Sequence, residues 1–116
     1  MEPLELIHAA IRRGEAEGLA SLSPCEAVVF AVSEAEAYCD KDGLDALIHR
    51  YGAAHMTIFA DAFRKIGAHE IASALRAIAD AAHPIPEHRL SVANKLVTDR
   101  QGYSPASIES FVMHAA

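Results

Sequence analysis

The chain has 116 residues, 52% of them hydrophobic and 22% charged, with a formal net charge of −6 at pH 7; this predicts one domain, residues 1–116, around one core. The acidic balance excludes direct nucleic-acid binding, which needs clustered lysine and arginine, and no segment approaches the ~20 apolar residues that cross a membrane. Because the first residues carry acids where a secretory signal has a basic flank, we expect a cytoplasmic protein.

Apolar residues recur at helical spacing throughout, which predicts an all-α protein, a single compact orthogonal bundle of about seven short helices. The first helix presents Leu4, Ile7 and Ile11 on one face and stops before Gly18. A second begins at Ser23 and Pro24, because serine accepts hydrogen bonds from the first free amides and proline suits the first helical position.

This second helix is predicted to run to about residue 40. The third and fourth helices are predicted over residues 44–51 and about 54–66, the sixth over about 87–100, and the last from Pro105 onward. The fifth is predicted from its apolar face, which consists of Ile71, Leu75, Ile78 and Ala82. Single glycines and the prolines 84 and 86 separate them, since glycine permits the left-handed conformation that closes a helix and proline removes an amide donor.

The two cysteines, Cys25 and Cys39, lie fourteen residues apart on the second predicted helix. A rise of ~1.5 Å per residue separates them by about 21 Å, which excludes a disulfide between them. We therefore predict two buried, apolar thiols, which fit a reducing compartment.

Negative charge is concentrated in the first third of the chain. Residues 1–45 hold ten acids and three bases, whereas residues 46–116 hold six acids and seven bases. Residues 26–45 contain six acids and one base, Lys41, which gives this segment a net charge of −5. We predict that this acidic patch binds a partner, with its glutamates exposed to water; the patch consists of Glu26, Glu34, Glu36, Asp40, Asp42 and Asp45.

The Asp-Lys-Asp-Gly run from Asp40 to Gly43 invites a calcium interpretation, which its spacing does not support. A twelve-residue calcium loop needs an acid first, glycine sixth and glutamate twelfth. Starting at Tyr38 leaves tyrosine first and His49 twelfth, and starting at Asp40 places an aspartate where glycine should stand. The seven histidines form no H-E-x-x-H pair. We accordingly predict no catalytic residue, no metal site and no cofactor.

The turn and the helix end that follow carry a family resemblance. Ile66, Gly67 and Ala68 match a signature, and Gly43 with Leu44 matches half of an Asn-Gly-Gly-aromatic turn, although Lys41 and Asp42 replace its first two residues. Over residues 22–84 the chain resembles a bacterial family first catalogued as a domain of unknown function and later named for a DNA-mimic protein. The first helix and the residues after 86, which hold the C-terminal helices at 87–115, lie outside that resemblance.

The resemblance implies an all-α domain without known catalytic activity; one member displays carboxylates like DNA phosphates and occupies a transcription factor's DNA-binding surface. Our first interpretation is therefore a non-enzymatic interaction module that binds a basic or DNA-binding protein, with DNA mimicry as one form and homodimerisation left open. The alternative is a small-molecule or metal-binding domain, or a small enzyme, with a cleft near His49, Tyr51, His55 and Asp45.

Overall fold

The computed structural model describes residues 2–82 and 84–115, and within them it contains helices and turns but no strand. The all-α prediction is confirmed. The helices are α1 (Pro3–Glu17), α2 (Pro24–Lys41), α3 (Leu44–Tyr51), α4 (Met56–Lys65), α5 (His69–Asp80), α6 (Glu87–Thr98) and α7 (Pro105–Ala115), with 3-10 turns at Leu19–Ser21 and Ala53–His55. Of these helices, none is long and apolar enough to cross a bilayer.

Helix α2 occupies the centre of the bundle. It packs against α1, α3, α4, α6 and α7, because buried side chains point from several of its faces. Val28, Val32 and Ala35 face the main core, whereas Val29 and Phe30 are buried on other faces. The helix that carries most of the predicted acidic patch is therefore surrounded by other helices along much of its length.

The main core lies between α2, α3, α4, α5 and α6. Its largest fully buried side chains include Phe59, Phe63, Leu47 and Leu75. The radius of gyration of the Cα atoms is 13.4 Å, close to the roughly 13 Å expected of a compact chain of this length. The predicted compact bundle is thus the observed one.

The apolar face of α1 is confirmed in part: Ile7 and Ile11 are half-buried and pack against a small buried cluster between α1, α2 and α7, whereas Leu4 does not. Leu4 is 53% exposed, and the buried positions of this helix are Ala10 and Gly14. Gly14 packs directly against the ring of Phe30, since a Cβ at this glycine would lie 2.3 Å from Phe30 Cδ1. The spacing of large apolar residues does not reveal the Gly14–Phe30 contact, because one of its two partners has no side chain.

Most helix ends follow their sequence signals. The Ser23 hydroxyl accepts the Glu26 amide at 3.3 Å, and the Glu26 carboxylate accepts the Ser23 amide at 3.0 Å, which makes a complete capping box. Three boundaries differ: α4 starts at residue 56 behind a 3-10 turn, α6 ends at Thr98, and Ala82 is exposed beyond the end of α5. Apolar residues at helical spacing continue past these helix ends, so the spacing does not show where the helices begin or end.

Candidate functional site

Two glutamates of the predicted patch are held by tyrosine hydroxyls. Tyr51 of α3 donates to Glu34 Oε2 at 2.6 Å, and Tyr103, between α6 and α7, donates to Glu36 Oε2 at 2.5 Å. The two glutamates lie only two residues apart on α2 but on different faces, so they contact different neighbours. Both are half-buried, and the expectation that they are freely exposed to water is wrong.

The same two tyrosines anchor the site to the core. The ring of Tyr51 lies edge-on to Phe59 with centroids 5.2 Å apart, and the ring of Tyr103 lies edge-on to Phe63 at 5.5 Å. Burial, followed by the hydrogen bond to a carboxylate, raises the pKa of both tyrosine hydroxyls. They therefore stay protonated at neutral pH and act as donors that fix the position of each glutamate.

Arg100 neutralises part of the acidic patch from sixty residues away in the sequence. Its guanidinium donates to both carboxylate oxygens of Asp40, at 3.0 and 2.7 Å, and its Nε lies 3.2 Å from Glu36 Oε2. The residue adopts a left-handed backbone with φ 53°. Hydrogen bonding from Arg100 holds the pKa of Asp40 below its ordinary value, so this carboxylate is ionised and paired.

Glu26 is the fourth acid of the patch that is bound by other groups of the protein. Besides capping α2 it lies 3.3 Å from Arg13 Nη1 on α1, and its pKa is lowered mainly by its hydrogen bond to the backbone of Ser23. Counting Arg13, Arg100 and Lys41 as bases, and Glu17, which shares Arg13, as a seventh acid, the patch with its paired neighbours has a net charge of −4. The charge read from residues 26–45 alone overstates what the folded protein displays.

The remaining two acids, Asp42 and Asp45, lie at the junction of α2 and α3. Both are exposed, and neither forms an ion pair with another residue that the structure describes. Gly43 between them has φ 97°, the conformation that glycine adopts most readily, and a Cβ there would lie 2.8 Å from Asp45 Oδ1. The free carboxylates of the patch are thus gathered at this turn.

A groove beside the junction is formed by the neighbouring helix α6. The Leu44 amide, at the start of α3, donates to Asn94 Oδ1 at 3.0 Å, which ties the two helices together. The groove has a volume of about 370 Å³, and its lining includes the acids Asp45 of α3 and Glu87 of α6 together with the apolar residues Leu44 and Leu90. Its rim therefore continues the negative charge of the turn onto α6.

The alternative cleft is not assembled at this groove. Among the described residues, its lining comes from α3, α6 and the junction, and includes Asp45 but not His49, Tyr51 or His55. His49 and His55 are exposed, and the Tyr51 hydroxyl is bonded to Glu34. The geometry brings none of the predicted cleft residues together with a second one in this cavity.

His83, one of the seven histidines, lies outside residues 2–82 and 84–115, which the structure describes. No group of three histidine, cysteine or acidic side chains in these ranges could hold a metal ion. Both thiols are free; Cys39 is buried, whereas Cys25 is half-buried and so only partly as predicted. Burial, with a smaller effect of Asp40, raises the pKa of Cys39 to about 12, so it is not a nucleophile at neutral pH.

A comparison with protein-family models gives a match to the DMP19-like protein model over residues 20–111. Neither curated proteins nor solved structures yield a match. The matched range includes α2 with its capping signal, the junction, the groove, both tyrosines and Arg100, and it extends past residue 84 through α6 into α7. It covers about four fifths of the 116 residues, and the chain therefore belongs to the DMP19-like protein family, the DNA-mimic family that residues 22–84 resemble.

Proposed function

We propose that this protein is a non-enzymatic interaction protein that binds the basic, DNA-binding surface of another protein through its α2–α3 junction. The observation that carries the proposal is the pair of exposed, unpaired carboxylates at Asp42 and Asp45, with Glu87 across the groove, in a chain of a DNA-mimic family. A DNA-binding surface is rich in lysine and arginine, which such carboxylates attract.

The engaged carboxylates support the same function in a second way. Glu34, Glu36 and Asp40 are each held in one position by a tyrosine or an arginine, so they lose little side-chain freedom when a partner binds. Phosphates on a duplex are likewise fixed in space, one charge per ~1.7 Å of axis. We infer that the free pair attracts the partner and that Glu36 and Asp40, one turn apart on α2 and both held by Arg100, form a fixed border against which its basic side chains align.

The reducing compartment that suits two free thiols is the cytoplasm, and we keep it as the proposed location. The partner there would be recognised by long-range electrostatic attraction, which speeds association and weakens as salt rises. Salt dependence is thus the property by which the proposed interaction differs from one driven by apolar contact.

The test is capture of partners from the native cytoplasm with the tagged protein at stepwise rising salt. For Asp42→Asn together with Asp45→Asn we expect about tenfold weaker binding of a basic, DNA-binding protein, because two exposed ion pairs contribute up to ~1 kcal/mol each. Glu70→Gln with Asp80→Asn is the matched control, since it removes the same charge from exposed positions on α5.

Two outcomes would contradict the proposal. A partner set that is unchanged after both junction substitutions would show that the turn is not the binding surface. Equal losses in the junction variant and the α5 control would show that only net charge matters and that no particular surface is recognised.

A further inference from the structure

A second charged site lies away from the acidic patch, in the cleft between α4 and α5. The cleft has a volume of about 220 Å³. Its lining residues are Ala60, Asp61, Arg64, His69, Ala72, Ser73 and Arg76. Two arginines, one imidazole and one hydroxyl therefore line one small cleft, and none of them belongs to the acidic patch.

The helices place these groups by simple spacing. His69, Ser73 and Arg76 follow one another at steps of four and three along α5, so they share one face of that helix. Arg64 faces them from α4, which precedes α5 by only a short turn. Between the two helices the lining residues Ala60 and Ala72 are small and buried, which leaves room for a ligand between the longer side chains.

The charge of this cleft is opposite to that of the whole protein. Asp61 is the one acid of the lining, and it is shared by Arg64, 2.6 Å away, and Lys65, 3.1 Å away. Arg64 spends one of its five N–H donors on this pair. Arg76 is exposed and forms no ion pair within the described part of the chain, although Asp80 lies one turn further along α5 and Glu70 stands in its first turn.

We propose that the α4–α5 cleft binds a small tetrahedral oxyanion, such as inorganic phosphate or a phosphate monoester. The planar, forked donors of Arg64 and Arg76 suit two oxygens of one phosphate, and charge-assisted hydrogen bonds of this kind are among the stronger ones. The Ser73 hydroxyl supplies a further donor at the same face. The start of α5 at His69 adds the partial positive charge of a helix N-terminus on that side of the cleft.

This inference is independent of the proposed function, because the cleft shares no residue with the acidic patch or the groove beside it. It assigns a small-molecule site to a protein that is proposed to bind another protein through different residues. The two can therefore succeed or fail separately.

The test is a titration of the isotope-labelled protein with potassium phosphate, followed by amide and arginine Nε shifts in NMR spectra at constant pH and ionic strength. We expect saturable shifts confined to α4 and α5, centred on Arg64, Ser73 and Arg76. Arg76→Gln should weaken binding about tenfold, as expected for loss of one charge-assisted hydrogen bond. Arg89→Gln, which removes an exposed arginine of α6, should leave the affinity unchanged.

Sulfate, which is also tetrahedral, should shift the signals of the same residues. Acetate tests whether any carboxylate binds, and we expect it to have little effect. A phosphate monoester should bind at least as tightly as inorganic phosphate. Shifts that do not saturate, shifts spread over all exposed arginines, or equal affinities in Arg76→Gln and Arg89→Gln would each overturn the proposal. The folded state of both variants is read from the same spectra, so a loss of binding through unfolding is recognised directly.

Discussion

Replacing Gly14 by alanine is expected to destabilise the protein by about 1–3 kcal/mol, the usual cost of overpacking a filled core. The added Cβ would stand 2.3 Å from Phe30 Cδ1 and 2.4 Å from Phe30 Cγ, so the ring must move. Because alanine is better than glycine in a helix by about 1 kcal/mol, the steric cost has to exceed this gain for the effect to appear. Urea unfolding followed by circular dichroism measures the change.

The control for this prediction is the double variant Gly14→Ala with Phe30→Leu. The smaller leucine makes room for the new methyl group, so the double variant should be destabilised by less than the sum of the two single variants. A Gly14→Ala protein as stable as the parent would show that α1 can shift outward freely and that the contact with Phe30 does not hold it against α2.

Substitution of Arg100 by glutamine should change stability and partner binding in opposite directions. It leaves Asp40 without its arginine and Glu36 with only the Tyr103 hydroxyl. Since these groups are partly exposed, we expect a loss of only about 1 kcal/mol of folding free energy. At the same time one positive charge leaves the acidic patch, and a captured basic partner should elute at higher salt than from the parent protein.

The acid dependence of stability gives the same substitution a second readout. Arg100 keeps the pKa of Asp40 below its unfolded value, so the pair contributes stability above about pH 4 and loses it as the pH falls through the lower, folded pKa. The parent should therefore lose more stability than Arg100→Gln as the pH falls below about 4. Parallel pH profiles for the two proteins, or a partner that elutes at lower salt from the variant, would contradict this account of Arg100.

The fold follows closely from local signals in the sequence. The Ser-Pro start of α2 and the glycine at the end of α4 act within a few residues of where they stand, and the apolar repeat of α4 places Phe59 and Phe63 in the core. Such signals are short-range, so the helices could be predicted with small errors at their ends. Gly14 is the exception, because its role depends on a ring from another helix.

The character of the site could be predicted only in part. The acidic residues were visible, but the arginine that pairs with Asp40 stands sixty positions later, and Asn94, which binds the Leu44 amide, stands fifty positions later. No local pattern marks such partners, since they are set by which helices pack together. The same holds for Tyr103, whose hydroxyl turns Glu36 from a solvated charge into a fixed one.

What the structure adds is a division within the acidic patch. Four of its carboxylates are bound by the protein's own side chains or caps, and Asp42 and Asp45 remain unpaired among the described residues. The division separates the free carboxylates at the α2–α3 turn, which we propose attract the partner, from the held carboxylates of α2. It also explains why charge counted along the sequence is a poor measure of the charge that a partner meets.

The central claim is that this acidic turn competes with DNA for a protein's DNA-binding surface. The direct measurement is the fluorescence anisotropy of a labelled duplex bound to the captured partner while the protein is added. We predict full displacement of the duplex, with about tenfold more of the Asp42→Asn, Asp45→Asn variant needed for the same effect. A ternary complex in which the duplex stays bound, or displacement that the two substitutions leave unchanged, would contradict the claim.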